Sequence, residues 1–280
     1  MNVKIISAIL VLALASMACG FTVDLPERTQ PGPEVEESIT VPATGADETR
    51  LTISFGAGSL NLSPGAKNLV DGTVVYNIPE LKPEVTSKDG SVEITQGDFK
   101  NIVNFKEVKN NWDLKLGATP LDLTINAGAY TGNYEFGGLS LTSLTVKDGA
   151  SNVELSFSEP NLTEMSVLRY ETGASNVTLS GLANANFSTL IFSGGAGDYK
   201  LDFSGKLTTD GTARIEAGAG DVQLVIPKGM NAKVTVESTL VSVNFSSNWS
   251  QDGNDYTQTG EGPALTIIVK MAAGNLTITD

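Results

Sequence analysis

One pattern of small, polar and apolar residues recurs along most of this 280-residue chain. A run of small residues comes first, and apolar side chains then occupy every second position, as in GAGDVQLVI beginning at Gly218. Alternation with a period of two is typical of a β-strand with one buried face. The other copies are GAGSLNL at Gly56, GAYTGNYEF at Gly128, GASNVEL at Gly149, GASNVTL at Gly173, GAGDYKL at Gly195 and AAGNLTI at Ala272.

The spacing of these copies indicates a solenoid. Those from Gly128 to Gly218 begin at intervals of 21, 24, 22 and 23 residues, and a period of this length is typical of stacked repeats. A second alternating segment, such as STLIFS, precedes each small-residue run, and a turn with Gly, Pro or Asn separates the two segments. Each unit is therefore predicted to be a strand, a turn, a second strand and a glycine corner.

Such a unit is stable only when it is stacked on others, because two short strands bury too little apolar surface alone. Equivalent strands of successive units then pair with one another. The register predicts one buried column containing Val153, Val177, Tyr199 and Val222. Glycine suits the corner because it accepts positive φ and close approach of neighbouring coils.

The regions that flank the regular repeats are also predicted to be β-structure. Residues 51–120 contain short alternating segments and are expected to form an N-terminal β subdomain that caps the first coil. Residues 121–280 are predicted to be the glycine-corner solenoid with its C-terminal cap. Residues 236–247 keep the alternation at Val241, Val243 and Phe245 and are expected to add one further coil.

The first 18 residues have the pattern of a secretory signal peptide, in which Lys4 precedes an apolar run too short to span a bilayer. Cys19, the only cysteine, follows this segment directly, and the two together resemble the signal peptide and lipobox of a bacterial lipoprotein. This resemblance implies acylation of Cys19 and an extracytoplasmic protein anchored to the bacterial cell membrane. An ordinary secretory peptide cleaved near Cys19 is the alternative, because SMA departs from the usual residues before the cysteine.

Residues 19–50 are rich in proline and acidic residues and poor in apolar ones, and we expect them to form a lipid-anchored disordered linker.

The overall composition argues against several classes of function. Asp and Glu total 32 against 18 Lys and Arg, a formal net charge of -14, so no nucleic-acid partner is expected. The chain has no histidine, which is the commonest general base at neutral pH and the commonest transition-metal ligand. We therefore expect no catalytic residues, no metal site and no cofactor.

A few acidic residues still deserve testing against the structure. Asp198 and Asp221 occupy equivalent positions of neighbouring coils, where a weak calcium site is conceivable. Outward carboxylates are typical of a solvated face, but a polysaccharide-processing β-helix enzyme would need two of them at a defined separation. The outward carboxylates predicted in the coils are Glu135, Glu154, Asp202, Glu216 and Asp221.

An insertion at residues 247–263 interrupts the repeat and carries Trp249 and Tyr256 among polar residues. Aromatic side chains on a loop of a rigid scaffold often contact partners, so these two residues are the candidate partner-contact loop. The favoured alternative is a hairpin that folds both rings over the open end of the solenoid.

The order of these motifs resembles that of the bacterial toast-rack proteins, which include the C-terminal domain of LiaF-type cell-envelope stress proteins and adhesin-like domains of unknown function. The resemblance rests on the Trp112-Asp113-Leu114 strand, the GLSL segment at Gly138 and the later GAGD coils. It implies an all-β fold, a right-handed parallel β-helix-like solenoid with an N-terminal β cap. It implies no enzymatic activity and no catalytic residues.

These observations together predict a non-enzymatic cell-envelope lipoprotein that acts as a binding or scaffolding module, with envelope stress as one setting. Its expected partners are the membrane, through the Cys19 acyl chains, and an envelope protein or cell-wall polymer. An envelope polysaccharide-processing β-helix enzyme is the alternative.

Overall fold

The computed structural model describes residues 28–97, 102–103, 107–238 and 240–280. The predicted signal peptide and Cys19 lie outside the described residues.

The described residues form eighteen strands and two short 3-10 helices, Pro79–Leu81 and Leu182–Ala185. The strands of the N-terminal part are β1 Arg28–Thr29, β2 Val35–Val41, β3 Thr49–Pro64, β4 Val70–Tyr76, β5 Pro83–Lys88, β6 Ser91–Gln96, β7 Ile102–Val103 and β8 Asn110–Leu116. The later strands are β9 Leu121–Glu135, β10 Leu141–Ser156, β11 Met165–Ser180, β12 Phe187–Asp202, β13 Gly211–Val225, β14 Met230–Val236, β15 Val241–Phe245, β16 Ser250–Asp252, β17 Asp255–Gln258 and β18 Glu261–Thr279.

Seven long strands, β3, β9 to β13 and β18, form the body of the solenoid as parallel neighbours. Each of them runs through the small-residue corner, so the two predicted strands of a unit are one strand with a first half and a second half. Val153 pairs with Val177, Val177 with Tyr199 and Tyr199 with Val222. The predicted column is therefore confirmed, and so is the all-β solenoid.

The core lies between the first and second halves of these strands. Each long strand is here called a rung, and the same kind of side chain repeats from one rung to the next. In the first halves, one fully buried column contains Leu51, Leu123, Leu144, Leu168 and Leu190. Burial of each such side chain contributes roughly 1.5–3 kcal/mol. The stability of the fold thus comes from repeated columns, none of which is complete without its neighbours.

The glycine corners are required by close packing of consecutive rungs. A Cβ atom built on Gly173 would lie 2.4 Å from the carbonyl oxygen of Gly149, and one on Gly195 would lie 2.4 Å from that of Gly173. Any larger residue would force the rungs apart, because real Cβ atoms do not approach a carbonyl oxygen so closely.

The C-terminal strand occupies an unexpected place in the stack. β18 lies between β13 and the next coil, and it pairs with β13 on one side and with β14 and β15 on the other. Residues 236–247 do keep the repeat, since Val243 pairs with Leu276. Chain order would place this coil next to the Gly218 coil, but β18 lies there instead, because it offers β13 a longer apolar strand in the same register.

The N-terminal part is joined to the same large sheet. β3 is a full rung, paired with β9 over both halves, so the predicted boundary near residue 120 falls within one sheet of sixteen strands. The expected disordered linker is wrong from Val35 onward, because β2 pairs with β4 and buries Ile39 and Val41. Glu36, Ser38 and Thr40 point away from the core, while Glu37 lies on the side of Ile39 and Val41. Glu37 is half-buried and accepts a hydrogen bond of 3.0 Å from the Tyr76 hydroxyl, so an acidic segment forms an amphipathic strand here.

Candidate binding face

The outward side chains of the second halves form a continuous polar surface, here called the polar face. Because successive residues of a strand point to opposite sides, Val177, Tyr199 and Val222 are buried while their neighbours in the sequence are outward. A groove of about 700 Å³ runs along this face. Its outward lining residues include Asn152, Asn176, Asp198, Asp221 and Asn275 in one column and Glu154, Thr178, Lys200, Gln223 and Thr277 in the next.

The two outward faces of the solenoid differ in charge. In the seven long strands, the polar face carries the acidic residues Glu135, Glu154, Asp198, Asp202 and Asp221 and one basic residue, Lys200. The outward face of the first halves, here called the mixed face, carries the basic residues Arg50, Lys147, Arg169, Arg214 and Lys270 and the acidic residues Asp122, Glu171 and Glu216. The polar face is thus rich in carboxylates and amides and has little positive charge.

Asp198 and Asp221 lie side by side on the polar face, as the register predicts. The amide Nδ2 of Asn275 donates a hydrogen bond of 2.7 Å to Oδ1 of Asp221. The described part of the chain holds no group of three or more His, Cys, Asp or Glu side chains that could hold a metal ion. Asp198 and Asp221 both line the groove among its amides and carboxylates.

Besides Asp221, three of the five candidate carboxylates make local structural contacts. The Glu216 carboxylate pairs with Arg214 at 2.9 Å, and Asp202 accepts a hydrogen bond of 2.8 Å from the backbone N–H of Ser204. Burial raises the pKa of Glu135, but hydrogen bonds from Ser156, Gly137 and Ser158 outweigh it and lower this pKa below its ordinary value.

A general acid of a glycosidase needs a raised pKa instead. Of the five, Glu154 and Asp221 remain on the groove.

The insertion forms a hairpin of β16 and β17, and β17 pairs antiparallel with β14. Trp249 and Tyr256 are each 5% exposed, and the ring of Tyr256 packs edge-to-face on Phe245 with centroids 5.1 Å apart. The two rings therefore pack on the end of the core, as in the favoured alternative. They are not surface aromatics that a partner could contact, which corrects the expected partner-contact loop.

A polar network inside the corner was not anticipated from the sequence. The carboxylate of Asp148 accepts hydrogen bonds from the Tyr170 hydroxyl at 2.7 Å, from the Tyr130 hydroxyl at 3.3 Å and from the hydroxyl of Thr172. Burial, and then the charge of Asp148, raise the pKa of Tyr170 above its ordinary value. The hydroxyl of Tyr170 is therefore a fixed donor to Asp148.

This network lies in the central rungs, where the last corner position is not glycine. Tyr130, Ser151 and Ser175 occupy the column that holds Gly197 and Gly220 in later rungs. Ser175 is 5% exposed, and its hydroxyl bridges Ser151 and Thr172. In these rungs side-chain hydrogen bonds hold the corner, and the hint in the sequence is that GAG is replaced by GAY at Gly128 and by GAS at Gly149 and Gly173.

Among the described residues, none of the helices has the length and apolar composition that a bilayer crossing would need.

Several solved structures are similar to this chain, and one with a TM-score of 0.50 shares its fold. A candidate cell adhesion protein from Clostridium sporogenes is 22% identical with a TM-score of 0.50, and the match covers 88% of this chain and 99% of that one. A candidate lipid binding protein from Parabacteroides distasonis is 10% identical with a TM-score of 0.38, covering 89% and 99% of the two chains. A candidate adhesin from Bacteroides fragilis is 10% identical with a TM-score of 0.36, covering 90% and 99%.

No curated protein matches the chain. The family described as the N-terminal domain of toast_rack, DUF2154, matches residues 30–180. This match spans more than half of the sequence and includes the first rungs with their glycine corners, and the chain therefore belongs to the toast-rack family.

Proposed function

We propose that this protein is a non-enzymatic lipoprotein of the bacterial cell envelope that binds a hydroxyl-rich cell-wall polymer along its polar face. The observation that carries the proposal is the groove of about 700 Å³, whose amide, carboxylate and hydroxyl side chains stand in register on consecutive rungs.

The regular spacing of these groups suits a repeating ligand. Neighbouring strands lie about 4.8 Å apart, so each column offers a hydrogen-bonding side chain at that interval. Amides both donate and accept hydrogen bonds, which is what sugar hydroxyls require. The excess of carboxylates on this face disfavours polyanionic polymers and favours neutral ones.

Two further observations support a binding role. The neighbour from Clostridium sporogenes is named for cell adhesion, which agrees with an outward-facing binding module. Four of the five candidate carboxylates hold neighbouring backbone or side-chain groups, so few remain for acid–base chemistry. The resemblance to cell-envelope stress proteins supports a role in envelope maintenance.

Loss of amide side chains on the polar face is expected to weaken polymer binding at least tenfold. The double variant Asn176→Ala with Gln223→Ala removes hydrogen-bonding groups from two columns of the groove without touching the core. Two lost hydrogen bonds of about 1 kcal/mol each give a change of this order. The measurement is co-sedimentation of the protein with purified cell walls over a range of wall concentrations.

The matched control is Thr145→Ala with Thr189→Ala, which truncates two outward side chains on the mixed face. Equal binding by both double variants would contradict the proposed face. Release of reducing sugars from the walls, abolished by Glu154→Gln or Asp221→Asn, would instead establish the polysaccharide-processing enzyme.

The proposed anchor is tested by Cys19→Ser, which removes the thiol that would carry the acyl chains. We expect the variant to leave the membrane fraction and appear in the soluble or secreted fraction, because a signal peptide alone gives no stable anchor after cleavage. Cell fractionation with immunoblotting measures the distribution. Equal retention of the Cys19→Ser and native chains in the membrane fraction would rule out a lipid anchor at this residue.

A further inference from the structure

At each end of the solenoid, two short strands pair with the two halves of the last long strand; each is here called a half-rung. The half-rungs are β6 and β8 on β3, and β14 and β15 on β18. Three of the four carry a further, antiparallel strand as a cap. At the N-terminal end, β4 pairs antiparallel with β8 and β5 pairs antiparallel with β6. At the C-terminal end, β17 pairs antiparallel with β14. The fourth half-rung, β15, pairs with β18 on one side, and no described strand pairs with its other edge.

The missing cap leaves core positions exposed. Phe245 is 40% exposed, although its partner in the neighbouring rung, Ile278, is fully buried. Val243 is half-buried next to the fully buried Leu276. Leu240, at the start of this segment, is 75% exposed. Phe245 and Val243 are thus apolar side chains at one end of the core that a further strand would cover.

The same edge lacks the charges that protect edge strands from pairing. No Asp, Glu, Lys or Arg occurs from residue 238 to residue 251, in a chain with a formal net charge of -14. The other edge strands of the large sheet are charged: β2 contains Glu36 and Glu37, β5 contains Glu84 and Lys88, and β16 contains Asp252. Protection is therefore present at three edges and absent at the uncapped one.

We propose that β15 is a docking edge that accepts an extended segment of a partner protein as an antiparallel strand. Strand addition of this kind takes its affinity from backbone hydrogen bonds and its specificity from alternate side chains. The three native caps define the geometry of the missing strand, and the alternation of Val241, Ser242, Val243 and Asn244 defines its chemistry. The segment has apolar residues at every second position and carries no acidic residues, since the chain itself is strongly acidic.

The surroundings of β15 favour a single strand or hairpin over a second copy of this chain. The hairpin of β16 and β17 extends the first-half sheet two strands beyond β14, which makes a step about 10 Å deep beside β15. If the second-half strands of a second copy paired with β15, the first-half strands of that copy would occupy the same space as this hairpin and clash with it. A single strand or hairpin of a partner fits into the step without this clash.

The test is selection of nine-residue peptides from a random phage-displayed library on the full chain, followed by hydrogen exchange with the selected peptides. Binding of the selected peptides is then compared between the native chain and the variant Leu240→Lys with Ser242→Lys. This variant places charges on the open edge without altering buried residues. We expect enriched peptides with alternating apolar residues, at least tenfold weaker binding to this variant, and slower amide exchange across Val241–Phe245. The matched control is Val85→Lys with Ser87→Lys on the edge strand β5, which should bind as the native chain does.

The following results would contradict the proposal. Absence of enrichment, or peptides that protect strands other than β15, would overturn it. A dimer in sedimentation velocity that Leu240→Lys with Ser242→Lys disrupts would replace the partner segment with a second copy. Binding of phosphatidylglycerol vesicles through the same edge would replace it with a lipid surface. Failure of this test is distinguishable from failure of polymer binding, because the peptide selection contains no cell walls and the wall-binding test with Asn176→Ala and Gln223→Ala leaves β15 unchanged.

Discussion

Replacing Gly220 with alanine is expected to lower the free energy of unfolding by about 3–5 kcal/mol, the range of severe core or backbone substitutions. Gly220 has a φ of +130°, and a Cβ atom placed there would lie 1.8 Å from the carbonyl oxygen of Gly197. That contact can be relieved only by separating two consecutive rungs, which breaks the pairing of β12 and β13. Urea unfolding of the Cys19→Ser chain, followed by tryptophan fluorescence, measures the loss.

Gly229→Ala is the matched control for this substitution. Gly229 also has positive φ, at +83°, but nothing lies within 4 Å of the Cβ position. Its replacement carries only the cost of the left-handed conformation, roughly 1–2 kcal/mol. If Gly220→Ala cost no more than Gly229→Ala, the close approach of the rungs would not be what requires glycine at the corner.

The stacking of the repeat was predictable because its period and its alternation are both visible in the sequence. A strand with one buried face fixes which side chains point inward, and equal spacing between glycine runs fixes which of them become neighbours. Val153, Val177 and Tyr199 therefore fall in one column as expected. The glycine corner was equally readable, since close packing of rungs leaves no room for a side chain.

The position of the last strand was not predictable in the same way. Residues 236–247 and 261–279 both carry the alternation, and the sequence does not say which of them lies against β13. The longer β18 takes that place and pairs with β13 along the whole of β13, from Gly211 with Leu265 to Val225 with Thr279. At this end the order of the strands in the sheet therefore differs from their order along the chain. The local sequence pattern does not indicate which strand pairs with which.

The candidate site was only partly accessible to sequence reasoning. Asp198 and Asp221 were recognised as neighbours, but the groove depends on the twist and on side chains from several rungs. For Trp249 and Tyr256 the sequence left two interpretations open, and their burial agrees with the favoured one, in which both rings cover the end of the solenoid. The Asp148 network was missed because its members lie 18 to 27 residues apart and become neighbours only through stacking.

Replacing Asn110 with alanine is expected to lower the free energy of unfolding by about 3 kcal/mol, because buried partners would be left unpaired. At the N-terminal end, β6 and β8 pair with the two halves of β3 as separate strands, so no continuous strand runs through the corner there. Side-chain hydrogen bonds take the place of the backbone hydrogen bonds of a continuous corner. Asn110, 1% exposed, donates to the carbonyl oxygen of Ala57 and to Oε1 of Gln96, each at 2.7 Å. Its own Oδ1 accepts from Nε1 of Trp112 at 3.0 Å.

Asn111→Ala is the control, because the next side chain in the sequence is exposed and its loss should change stability by about 0.5 kcal/mol or less. A double-mutant cycle with Gln96→Ala separates the network from simple loss of volume. Gln96 also accepts a hydrogen bond of 2.9 Å from the backbone N–H of Gly56, so the two amides act as one unit in place of the missing corner. Strictly additive losses from the two substitutions would show that they stabilise β6 and β8 separately and that the interrupted corner is held by the strands alone.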